Sequence, residues 1–136
     1  MGSIANLSDT TANAAAAAIA PLMNSGTIQI FAGPQPPNAN TALSGNTLLV
    51  TLTFSVTAFN APVGGSITAN AIANGVAITS GLATFARIYQ SNGATVVMDV
   101  QVGDPAAGAY ITLSTPTIVA GGLVSISSFV HSVVET

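Results

Sequence analysis

The sequence predicts an all-β fold, an antiparallel β-sandwich or jelly-roll-like barrel, preceded by a short Ala-rich helix or arm. Three observations carry this. From residue 27 onward apolar residues alternate with small or hydroxyl residues, the period of a strand with one buried face. Gly, Pro and Asn interrupt that alternation every ~8 to 15 residues, the spacing of a sandwich or barrel. Asn92-Gly93 lies between two alternating runs, which is the strongest short-range hairpin signal. With 136 residues the chain has material for one core, read as an arm over 1–26 and a single β-domain over 27–136.

The elements follow in order. Residues 8–23, SDTTANAAAAAIAPLM, open with Ser8 as an N-cap and place Asp9 at the positive end of a helix. The Ala body favours helix but buries little, so Ile19, Leu22 and Met23 are the candidate contacts that hold the arm to its own core or to a neighbouring subunit. Pro21 should end or kink it. Ile28 and Ile30 share one strand face, and Leu48, Val50, Leu52 and Phe54 share another. Between them, 33–46 is a Pro/Asn-rich loop without apolar period, long enough to be functional or to reach a neighbour. Ile67, Ala69 and Ala71 suggest a third strand, and Val76 and Ile78 a fourth whose side chains enter the core. The hairpin 82–89/95–102 follows, then a loop over 103–108 and a strand over 110–114 with Ile111 and Leu113 inward. Ile118 and Val119 form a short segment, and 123–134 forms the last strand, with Val124, Ile126 and Val130 inward and His131 on the other face. Connections this short argue against parallel crossovers.

Composition removes most function classes. Charged residues make up 4% of the chain, as Asp9, Arg87, Asp99, Asp104 and Glu135, where about 25% is ordinary. One Arg and no Lys leave a net charge of −3, so the chain cannot neutralise phosphates and no nucleic-acid partner is expected. There is no Cys, hence no thiolate site or disulfide. Hydrophobic residues reach 49%, yet no run approaches the ~20 apolar residues of a membrane span. The first eleven residues lack the basic region of a secretory signal and read as mature.

His131 is the only histidine, and no Gly-x-Ser-x-Gly elbow accompanies it. It reads as a surface or interface residue, with no enzyme activity, cofactor or metal site expected. Arg87 and Asp99 are the one opposite-charge pair placed to meet, as an inter-strand or an intersubunit ion pair. A two-residue turn would put them on opposite faces, and a bulged three-residue loop would make them diagonal neighbours on one face. Tyr89, Tyr110, Phe31 and Phe59 are the aromatics from which a sugar-stacking platform could be built, giving a carbohydrate-binding or adhesin-like module as a reading of a different class. A nearly uncharged surface tends to associate, so the chain reads as one meant to be buried among copies.

The ordered segments TIQIFAGPQPP (27–37), LLVTLTFS (48–55), SITANAIA (66–73), ATFARIYQSNGATVVMDVQVG (83–103) and TPTIVAGGLVSISSF (115–129) resemble the small β-rich virion proteins of tailed bacteriophages. The resemblance spans about 27–129 and rests on the Ala-Arg, Asn-Gly hairpin and VAGG spacing. It implies a structural protein without catalytic residues. Scarcity of cations then favours the outside of the head: a decoration, or cement, protein that binds the major capsid protein lattice as a homotrimer, with a neck or tail component as the alternative.

Overall fold

The computed structural model describes residues 8–103, 111–113 and 115–132. The fold is mostly β with one short N-terminal helix, and its main sheet is curled into a half-barrel. Helix α1 spans Asp9–Ile19 and runs into a 3-10 turn, Ala20–Met23, at Pro21. Among the described residues twelve strands follow: β1 (Thr27–Ala32), β2 (Thr47–Phe54), β3 (Ser66–Thr68), β4 (Ile72–Ala73), β5 (Gly75–Val76), β6 (Gly81–Leu82), β7 (Phe85–Tyr89), β8 (Val96–Gly103), β9 (Ile111–Leu113), β10 (Thr117–Ile118), β11 (Leu123–Val124) and β12 (Ile126–Ser132).

Eight strands make the main sheet in the order β3-β12-β9-β8-β7-β1-β2-β4, while β10-β6 and β11-β5 form separate pairs. Three irregularities curl it. Leu49, Val97 and Ser127 are extra residues against their partner strands, and each such bulge bends its strand and deepens the twist. One expectation is corrected here: β8 and β9 pair parallel, Val102 with Ile111 and Gly103 with Thr112. A connection of only seven residues achieves what normally takes a dozen or more. That connection, 104–110, lies outside the described residues, as do Ser114 and 133–136, and with them Asp104, Tyr110, Val133, Val134 and Glu135.

The inner face of the half-barrel holds the core. Ile28 and Ile30 of β1 face Leu52 and Val50 of β2 and Ile88 and Ala86 of β7, and all six are buried. Phe54, Phe59 and Phe129 join them as a three-ring cluster with centroids 5.4–5.8 Å apart, tying β2 to β12 across the curl. The helix is part of this core. Ser8 accepts a hydrogen bond from the Thr11 amide as N-cap, and Ala12, Ala16 and Met23 are fully buried on one stripe, Ala16 and Met23 against the strand residues. Small side chains let α1 lie close to β3, where Asn13 Oδ1 accepts the Gly65 amide at 2.8 Å.

Several inward positions differ from the sequence reading. Beyond Ser127 the alternation of β12 changes phase, so Phe129, not Val130, is buried. By the same shift His131 lies on the face of Phe129 and is half-buried. Leu49 is buried beside Val50 because of its bulge, and Leu48 is only partly buried. Val76 and Ile78, expected in the core, are exposed.

Candidate functional site

The outer face of the main sheet carries the ion pair of Arg87 and Asp99. Alternation puts Phe31 of β1 and Phe85 and Arg87 of β7 on this face, with Asp99 of β8 directly opposite Arg87. Arg87 Nε donates to Asp99 Oδ1 at 2.7 Å and Nη2 to Oδ2 at 2.9 Å. The bulge at Val97 sets this register; both residues share one face, as the bulged alternative required, but as a direct cross-strand pair and not a diagonal one. The turn is wider than the Asn-Gly dipeptide alone. The Gly93 amide donates to the Gln90 carbonyl, Gly93 takes φ +71°, and Asn92 stays at negative φ while its Oδ1 accepts the Ala94 and Thr95 amides.

The long loop after β1 covers the pair. Arg87 Nη2 also donates to the Thr41 carbonyl at 2.7 Å, and both charged side chains are about 95% shielded from solvent. Asn side chains fix the loop itself: Asn38 Oδ1 accepts from the Asn40 amide and Thr41 hydroxyl, and Asn46 Nδ2 donates to the Pro34 carbonyl. Beneath it Phe31 and Phe85 stack at 5.3 Å, a second apolar cluster separate from the inner core. The Asp99 hydrogen bonds raise the Arg87 pKa above its ordinary value against the opposing effect of burial. Thr41 could not be found from the sequence, because it acts through a backbone carbonyl whose position depends on the loop path.

An open groove of about 570 Å³ runs beside β8. Its walls include Ile19 and Leu22 from the arm, Val97, Met98 and Val100 from β8, and His131 from β12. Of the three expected arm contacts, Met23 is thus buried in the chain's own core while Ile19 and Leu22 line this groove. Burial lowers the His131 pKa below its usual value. Asp99 also reaches the groove wall, but both its carboxylate oxygens are engaged by Arg87. The groove can take aliphatic side chains; among the described residues it offers no carboxylate poised for proton transfer. Among the described residues no group of three His, Asp or Glu side chains converges to hold a metal.

The sugar-platform arrangement is not formed by the described aromatics. Phe31 and Phe59 are buried and Tyr89 is half-buried, whereas stacking on a sugar requires an exposed ring face. Tyr110 lies outside the described residues. No helix among the described residues is long and apolar enough to cross a membrane. Comparison of the chain with protein-family models, with curated proteins and with solved structures finds no match.

Proposed function

We propose that this chain is a structural protein of a tailed-bacteriophage virion, a non-enzymatic decoration protein that sits on the outside of the head, binds the major capsid protein lattice as a homotrimer and stabilises the filled shell. One observation carries the reading. The only Arg or Lys side chain of the protein is buried and committed to Asp99 and the Thr41 carbonyl, so no such cation is offered to phosphate. Such a surface suits contact with a protein shell and not with packaged DNA. Binding that favours the expanded, assembled lattice over other states would stabilise that state by mass action.

Disruption of virions into separated heads and tails tests it. The protein should follow the heads in lattice-scale numbers, and high salt should release little of it, since few ion pairs are available to be screened. Recovery with tails alone, or at the stoichiometry of a neck ring, overturns the decoration role in favour of a neck or tail component. Elution by a soluble glycan would favour the carbohydrate-binding alternative.

A further inference from the structure

The prolines of the 33–46 loop give its surface a chemistry that the fold itself does not use. Pro34, Pro36 and Pro37 have no amide hydrogen, and Gln35 and Pro36 each precede a proline, which drives their backbone into the extended polyproline range. The segment 34–37 is therefore a row of pyrrolidine rings and carbonyl groups, with Gln35 as its one N–H. Pro34, Gln35 and Pro37 are exposed. The Pro34 carbonyl accepts from Asn46 Nδ2, whereas no hydrogen bond among the described residues uses the carbonyls of Gln35, Pro36 or Pro37.

The row is held in shape from three sides. At the neck of the loop Ala32 pairs with Thr47, and Asn46 ties Pro34 to Ser44 by donating to the one carbonyl and accepting the other amide. The Thr84 hydroxyl donates to the Gly33 carbonyl, and Arg87 pins the Thr41 carbonyl from the sheet below. A buried ion pair adds little stability over apolar side chains of similar volume; here it also fixes the path of a compact loop with joined ends, a kind that is frequently functional. An open concavity of about 270 Å³ lies within the loop, with Pro34, Pro36, Pro37 and Ala42 as its apolar lining and Ser44 and Asn46 among its polar residues. No charged residue occurs in 33–46.

We propose that this concavity is a recognition site for an aromatic side chain bearing a hydrogen-bond donor, the indole of a Trp or the phenol of a Tyr on a different protein. Proline rings pack on flat aromatic rings, as when proline-rich segments dock in aromatic-lined grooves. The unused carbonyls call for a donor, and indole N–H and phenol O–H place one on the edge of such a ring. A carboxylate or ammonium group would be desolvated here without an opposite charge to meet it. This chain has no Trp, and the ring of Tyr89 is half-buried in the sheet, so the partner is not a second copy. Pinning by Arg87 keeps the site formed before the partner arrives, which lowers the ordering cost of binding. Recognition of this kind does not depend on the virion reading.

Nuclear magnetic resonance on the isotopically labelled full chain tests it, with N-acetyltryptophanamide as the probe. Saturable shifts are expected at the Gln35, Ala42 and Ser44 amides, with N-acetylphenylalaninamide, which keeps a ring but loses the donor on it, binding at least about threefold more weakly. Pro36→Ala with Pro37→Ala should weaken the tryptophan probe at least about fivefold while circular dichroism and urea unfolding stay as in the wild type. Arg87→Met with Asp99→Leu should weaken it at least about twofold by unpinning the loop. Absence of saturable shifts up to the solubility of the probe overturns the proposal, as do shifts confined to Val97 and Met98 of the β8 groove. Equal affinity for N-acetylleucinamide, or unchanged affinity after loss of the two prolines, overturns it as well. None of these readouts involves heads or tails, so this proposal and the decoration role fail separately.

Discussion

Arg87 and Asp99 face each other across β7 and β8 and exchange two charge-assisted hydrogen bonds while the Thr41 carbonyl closes the guanidinium from above. The pair thereby links three parts of the chain that are distant in sequence: the hairpin, the outer sheet face and the 33–46 loop.

Removing one partner should be costly. Arg87→Met leaves a buried carboxylate without its cation and should destabilise the fold by about 3–5 kcal/mol in urea unfolding, whereas Arg87→Met with Asp99→Leu should recover most of that loss. Protease cleavage within 33–46 should quicken in both variants, because the Thr41 carbonyl loses its donor in each.

Phe129 joins β12 to β2 through Phe54 and Phe59. Phe129→Ala should cost about 3–5 kcal/mol and Phe129→Leu considerably less, measured by the same unfolding assay. Val130→Ala, one residue on and facing away, should change stability little.

His131 gives the fold a pH dependence with a definite sign. Burial holds its folded pKa below 6.5, so the unfolded chain binds more protons as pH falls past that value, and stability should decline from pH 7 towards pH 5. His131→Gln should flatten this part of the profile. Among the described residues Asp99 is the other ionisable side chain lining the groove, so the Arg87→Met/Asp99→Leu background should retain the slope.

Gly75 sets how closely β5 can approach β2. Gly75→Ala should cost about 1–3 kcal/mol by overpacking against β2 and should increase amide exchange at Ala77 and Ile78 before it affects β1. Gly93→Asn should be tolerated better, since the turn is open around Gly93 and Asn accepts positive φ.

The sequence made the strands and the helix legible wherever local chemistry decided the outcome. Ser8 capped the helix, Pro21 ended its regular part, and Ile28, Ile30, Val50 and Leu52 alternated into the core. It was opaque wherever one extra residue changed the phase. Ser127 moved Phe129 and His131 inward, and Val97 brought Asp99 opposite Arg87; no residue type marks such a bulge. The exposure of Val76 and Ile78 was hidden for a different reason. A period of two shows that alternate residues share a face but not which face is inward, and here Gly75 and Ala77 took the inner one, with β2 too close to Gly75 for a side chain there. The groove was half legible: Ile19 and Leu22 stood out as anchors, but their association with Met98 and His131 arises only from the curl of the sheet.

The burial of Arg87 also governs how the protein meets acid. Most proteins become strongly cationic once their carboxylates are protonated, and mutual repulsion keeps the particles apart and strains the fold from within. Below this chain's isoelectric point near 4.2, Arg87 and His131 are the only side chains left to carry positive charge, and the first is sealed under a loop. Acidification therefore takes the particle through neutrality to only a small positive charge. Copies lose the weak repulsion that separated them at neutral pH and are drawn together instead of being forced apart.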